Sequence, residues 1–308
     1  MTDILDRLLG EPLPPAIEGG IDAVFAALAG SPFTDPGERA AIGGLLADRL
    51  GYAFLAGYAC ALARLAPGIA PRAALSVTEE RGGHPRAIET RFELGPDGPR
   101  LTGTKTFVTL GAVAEELVVV ATAGERDGRP DLRCAIVRTD APGVTLAPGP
   151  ELPFAPEIPH ARLVLDRAPC ARVLDGDAYV CVVKPFRTIE DVHVLVATLG
   201  WLVRVARVSD WPRATTERLA ALVASGLGLA GREADAPGVH VGLAGLFAAL
   251  RALLDDGSAC PWGRVEEATR ARYTRDRPLL VVAEHARAAR LEAAWRALAG
   301  SPRARAPA

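Results

Sequence analysis

Between residues 72 and 183 the apolar residues of this chain lose any helical spacing and form a train of short strands, and no other feature restricts the fold as strongly. The runs AALSVT (73–78), RAIETRFEL (86–94), RLTGTKTFVT (100–109), ELVVVAT (116–122), LRCAIVR (132–138) and ARLVLD (161–166) are separated by turn-forming stretches such as GPDGP (95–99) and GERDGRPD (124–131). RAIETRFEL alternates apolar and polar residues, as a half-solvated strand requires. No long helical pattern interrupts the train. Parallel β-α-β units are therefore disfavoured, and an antiparallel sheet or barrel is expected.

The flanks read differently. Residues 1–71 carry helical spacing in GIDAVFAALAG (20–30) and in 38–65, ending in the breaker APGIAP (66–71). From about residue 187 four amphipathic runs follow, at 188–208, 213–230, 238–256 and 277–300, enough for a four-helix bundle. The expected class is α+β: an N-terminal helical domain (1–71), a central β-domain (72–183), a C-terminal bundle (184–300) and a disordered tail (301–308).

Charge narrows the partners. A formal net charge of -2 and a pI near 6.2 give no global attraction to nucleic acid or anionic lipid. The longest apolar runs, such as 192–203, fall short of the ~20 residues needed to span a bilayer. The acidic start MTDILDRLLG lacks a basic segment followed by an apolar one, so no secretory signal is expected. The five cysteines are scattered without a C-x-x-C pair, which fits reduced thiols in the cytoplasm and no metal centre.

LTGTKTFVTLG (101–111) holds one of only two lysines. Gly98 and Gly103 have the separation of a phosphate-binding loop, but Thr104 precedes Lys105 and strand-type residues follow, so no such loop forms. Read locally, Gly103 marks a β-bulge and Lys105 is a solvated or strand-end residue without a catalytic role.

Together with LSVTEERGG (75–83) upstream and GVTLAPGP to ARVLDGDAY (143–179) downstream, this stretch resembles the β-domain of the acyl-CoA dehydrogenase family. There a T-E-P-x-A-G-S-D-like motif precedes an L-x-G-x-K-x-[WF]-[IV]-[TS] strand, and the helical flanks agree. The resemblance implies a flavoprotein binding FAD between its β-domain and its bundle. Phe107 would pack beside the isoalloxazine ring, with Thr109 offering its hydroxyl or backbone N–H near the N5 edge, Thr78 and Val77 at the pyrimidine edge, and Val108 among the cofactor-binding residues. An aromatic wall with short hydroxyl donors suits a flat, polar-edged heterocycle. RDRPLLVVAEHA (275–286) places Glu284 at the family's general base, a role that implies a carboxylate desolvated beside an apolar pocket; it takes the α-proton of an acyl thioester of CoA or a carrier protein while the β-hydride passes to the flavin. Read without the resemblance, the same residues form one continuous amphipathic helix with Glu284 and Arg287 as a surface pair.

Several positions depart from the family. TEERGGHP puts His84 where a ligand-contacting serine stands, making His84 a candidate substrate-binding donor or a solvated loop residue. The R-x-x-F-G motif for the pyrophosphate and the G-G-x-G-Y element for the adenine are absent; Arg187, Arg204, Arg207 and Arg213 are replacement candidates for the phosphates. KPFRTIED (184–191) reads as a capped helix start, with Thr188 and Asp191. The resemblance further implies a homodimer or tetramer joined through 188–208 and 238–256. Two alternatives stand beside the dehydrogenase. One is a cofactor-poor structural or assembly subunit, which could pair with an intact paralogue in a hetero-oligomer. The other is a flavin-dependent oxygenase or nitroalkane-oxidase-like enzyme.

Overall fold

A computed structural model describes residues 3–300; the tail expected at 301–308 lies outside the described residues. The chain divides into two compact units. A sheet unit comprises residues 17–32 and 58–190, and a helical unit takes residues up to 16, 33–57 and those from 191 onward.

The sheet unit contains β1 (Ala73–Ser76), β2 (Arg91–Gly95), β3 (Gly98–Thr109), β4 (Glu116–Arg126), β5 (Arg129–Arg138), β6 (Val144–Pro148), β7 (His160–Pro169) and β8 (Arg172–Leu174). Their order is β6-β7-β3-β2-β4-β5-β8, with β1 against β4. Most pairings are antiparallel; β1 and β2 meet β4 in parallel. All six sequence-read strands are present, though the second is shorter: Pro85–Ala87 forms a 3₁₀ turn and pairing begins at Arg91. Apolar alternation fills two cores, one around Leu101, Val108, Leu117, Val119 and Leu163, the other around Val118, Val120, Leu132 and Cys134. Odd and even residues of β4 thus serve opposite faces, as the two-residue repeat of a strand requires.

Two irregularities in the β3–β7 ladder decide where β3 aims its side chains. From Leu101 to Gly103, β7 runs from Ala168 to Leu165, so the extra residue belongs to β7. From Lys105 to Val108, β7 runs only from Leu163 to Ala161, so the extra residue belongs to β3. This second bulge lets Val108 join Leu101 in one core despite their odd separation, and it turns Phe107 and Thr109 the other way. Gly103 is needed for close approach, because a Cβ there would lie 2.6 Å from the Thr90 Cα.

The helical unit contains α1 (Ile4–Leu9), α3 (Pro36–Leu46), α6 (Arg213–Ala230), α7 (Pro237–Asp255), α8 (Glu267–Asp276) and α9 (Glu284–Gly300). It also takes the part of α5 (Lys184–Val208) from Asp191 onward; α2 (Gly20–Ala29) lies in the sheet unit, and α4 (Leu50–Leu65) passes from one unit to the other. Gly44 lets α3 lie directly on α5, since a Cβ there would overlap the Ala197 carbonyl. Val192, Leu195, Val196, Leu199, Trp201 and Leu202 are all buried, so α5 is a core helix; its expected role as an interface between copies is corrected.

Two further expectations change. Helix α5 already starts at Lys184, so Thr188 and Asp191 lie inside it and cap nothing; Asp191 instead pairs with Arg287 at 3.0 Å and with Arg290. The run 277–300 is no single helix: Arg277–Leu280 is a 3₁₀ segment, turns follow, and α9 begins only at Glu284. Pro278 removes a backbone donor there, and Val281 and Val282 are weak helix formers. Among the described residues one helix, α7, is long and apolar enough to cross a membrane; here it packs on α6 and α9 through Val239, Leu243, Leu250 and Leu253.

Candidate functional site

In the sheet unit, Thr78 and Phe107 form an isolated antiparallel bridge, and the Thr106 N–H donates to the Thr78 carbonyl at 2.9 Å. The structure thereby brings Val77 and Thr78 to the C-terminal end of β3, beside Phe107 and Thr109, all four partly exposed. Val108 is different. Its side chain is sealed in the core at 0% exposure, so only its backbone can face a ligand.

His160, which opens β7, was not marked by the sequence. Its ring stacks on Phe107 with centroids 4.4 Å apart and planes 28° apart, and its register partner is Thr109. Burial lowers its pKa from 6.5, and its Nδ1 is buried without a partner among the described residues. Beside it Leu110 adopts φ 63°, a left-handed conformation rare for a non-glycine residue, and its N–H donates to the Pro159 carbonyl at 2.8 Å. The end of β3 is thus fixed against the start of β7.

Lys105 contradicts its expected solvated position. It is 0% exposed, and its Nζ donates to Glu79 Oε1 at 2.5 Å, to the Val120 carbonyl at 2.6 Å and to the Val77 carbonyl at 3.3 Å. Glu79 also accepts from the Thr90 hydroxyl at 2.7 Å and from the N–H groups of Glu89 and Thr90 at 2.7 and 3.1 Å. Burial raises the Glu79 carboxyl, but Lys105 and these donors outweigh it and hold its pKa below the ordinary value. Burial pulls the Lys105 ammonium down to about 8 against the attraction of Glu79. The pair is a strut tying 77–79 to β3 and β4 directly behind Thr78. Both members sit in the motif-bearing stretches, and two opposite charges there were the available signal.

His84 is exposed and caps the turn Pro85–Ala87, its Nδ1 accepting from the Arg86 N–H at 3.3 Å. In the helical unit Glu284 is the first residue of α9, its side chain 51% exposed and paired with Arg251 at 2.7 Å. Arg287, expected as its surface partner, belongs to Asp191 instead. The apolar, water-free setting expected around Glu284 is not what surrounds it here.

A flavin is the group this fold family implies, and the two ends of FAD fare differently. The ring end fits: Phe107 offers a partly exposed aromatic wall and Thr78 and Thr109 offer hydroxyls beside it. The phosphate candidates are largely spent. Arg204 donates to the carbonyls of Leu45 and Pro14, Arg207 to those of Leu8 and Gly10 and to Glu11, and Arg213 to Glu217. Arg187 remains exposed.

The family model for the acyl-CoA dehydrogenase middle domain matches residues 74–168. No curated protein matches the chain by sequence. Among solved structures, butyryl-CoA dehydrogenase from Megasphaera elsdenii is similar at TM-score 0.67 and 14% identity, over 96% of this chain and 98% of that one. PigA, solved with FAD and proline, gives TM-score 0.67 at 12% identity over 90% and 88% of the two chains. The prolyl acyl carrier protein oxidase AnaB gives 0.60 at 16% over 84% of each. The chain therefore carries an acyl-CoA dehydrogenase middle domain at residues 74–168 and has the acyl-CoA dehydrogenase fold throughout.

Proposed function

We propose that this chain is a flavin-dependent oxidoreductase that desaturates an acyl thioester. The observation that carries the reading is the grouping of Thr78, Phe107 and Thr109 at the C-terminal end of β3, braced by the Lys105–Glu79 pair. Phe107 presents a ring face for stacking, and the two threonine hydroxyls can donate to or accept from the polar rim of the heterocycle. A flavin, when bound, supplies acceptance of the substrate's β-hydride. Glu284 Oε1 takes the α-proton, so loss of a proton and a hydride leaves a carbon–carbon double bond. Arg251 must yield its ion pair for Glu284 to do so, which makes Arg251 a positioning residue. The carrier of the thioester is CoA or a carrier protein, the latter in keeping with the substrate in AnaB's name.

The test is the visible spectrum of the purified protein. Bands near ~450 nm that bleach anaerobically with an acyl thioester are the expected result, and Glu284→Gln should keep the bands but lose the bleaching. The engagement of Arg204, Arg207 and Arg213 favours a second reading, a cofactor-poor assembly subunit. Protein that stays colourless after incubation with FAD decides for it.

A further inference from the structure

The helical unit holds an open cleft of about 350 Å³ between α7, α8 and the turn that follows α8. Its walls are mostly apolar, from Phe247, Leu250, Leu254 and Leu280. Four polar side chains also face it: Arg251 and Asp255 near the end of α7, Tyr273 on α8, and Arg277 just past α8. Its size lies in the range of small-molecule sites, and so does the ratio of apolar wall to a few placed polar groups.

Two of those groups carry opposite charges and are spent on nothing else. Neither Asp255 nor Arg277 makes an ion pair or side-chain hydrogen bond among the described residues, and they are not joined to each other. Both act on the Tyr273 phenol, which burial pushes up to about 12, Arg277 opposing the rise and Asp255 adding to it. Tyr273 is therefore a neutral donor standing near both charges. Asp255 is also oddly placed. It ends a 19-residue helix, where the macrodipole is negative and a cation is the favoured neighbour. The third charge at the wall, Arg251, is already held by Glu284. An unpaired carboxylate at a helix C-terminus, an unpaired guanidinium and an apolar floor together describe the complement of a small zwitterion with an apolar tail.

We propose that this cleft binds a free apolar α-amino acid, its ammonium on Asp255 and the last carbonyls of α7, its carboxylate on Arg277, and its side chain among Leu250, Leu254 and Leu280. The proposal does not rest on the flavin reading, since the groups that hold the ligand, Asp255 and Arg277, are neither Glu284 nor any residue of the flavin-facing set.

Tyr273 stacks on Trp262 with centroids 3.9 Å apart, so a ligand in the cleft is expected to alter tryptophan fluorescence. The probes are L-leucine, 4-methylpentanoate, which lacks the ammonium, and isoamylamine, which lacks the carboxylate. L-leucine is expected to give a saturable fluorescence change and a raised melting temperature, with each truncated probe binding at least ~10-fold more weakly. Asp255→Asn should bring L-leucine down to 4-methylpentanoate, and Arg277→Gln should bring it down to isoamylamine; both residues are exposed, so both variants fold. No saturable response to L-leucine up to about 10 mM overturns the proposal, as does equal binding of all three probes or indifference to either substitution.

Discussion

Lys105 and Glu284 are the two charged residues on which a reading of this chain turns, and each lies in the environment expected of the other. Lys105, in a polar strand segment, is 0% exposed and held by Glu79 and two carbonyls. Glu284, expected to be a desolvated base, is 51% exposed and held by one arginine that is itself 57% exposed. The pairs look alike as distances, 2.5 and 2.7 Å, yet differ in what surrounds them. Solvent screens the second and not the first, so the first belongs to the fold's stability and the second is free to serve chemistry.

The largest effect expected from this contrast is at the buried pair. Lys105→Met leaves Glu79 charged and enclosed with one partner fewer, and Glu79→Gln strands the ammonium; each should lose about 3–5 kcal/mol in urea unfolding. The double variant should recover a large part of that loss, because two neutral side chains leave no buried charge behind. Additive losses would mean the pair is not coupled. The pH dependence has a definite sign. The folded pKa of Glu79 lies below its ordinary 4.5, so its contribution is complete above 4.5 and is lost as pH falls through the folded value. Acid unfolding should therefore shift to higher pH in Lys105→Met, where the principal group holding that pKa down is gone.

Gly103→Ala comes next. The added Cβ would meet Thr90 backbone and side-chain atoms at 2.6 Å, so strands β2 and β3 must part, at about 1–3 kcal/mol. Because Thr90 feeds two hydrogen bonds into Glu79, the same variant should weaken the strut as well. A loss below the lower figure, measured by thermal melting, would show that the strand can shift without cost.

How much of this could be read beforehand follows from which interactions are local. The strand train was legible because two-residue alternation and turn residues act within a few positions. The antiparallel bias followed from the missing helices. The bulge between Lys105 and Val108 is not legible, since it exists only in the count of β3 residues against β7; strict alternation along β3 therefore cannot tell that Val108 shares a core with Leu101. His160 carries no mark in sequence, and only its register opposite Thr109 brings it to Phe107. The end of the chain failed for a local reason: Pro278 and the valines at 281 and 282 broke a helix whose apolar spacing looked continuous. Long-range partners such as Asp191 with Arg287 and Arg290 lie beyond any sequence window.

Phe107→Ala tests the ring-facing edge more gently. Its stacking on His160 is worth about 0.5–1.5 kcal/mol, so a modest drop in stability is expected together with at least ~10-fold weaker flavin retention on dilution. Phe107→Trp should restore retention. Full retention in the alanine variant would remove Phe107 from the berth while leaving the strut untouched.

The smallest expected effect on stability is at Glu284, and its smallness is what makes it informative. An exposed carboxylate–guanidinium pair contributes about 0–1 kcal/mol and less at high salt, so Glu284→Gln should unfold within that margin of the parent protein. A catalytic base has the opposite profile, because its removal is felt by the reaction and not by the fold. Loss of substrate bleaching at unchanged stability and unchanged flavin content would complete the contrast with Lys105. Arg251→Gln sharpens it further: removing the exposed partner should leave stability within the same margin and bleaching in place, since the base itself is kept. A Glu284→Gln protein that is markedly destabilised would place this pair in the architecture and take the base role away from it.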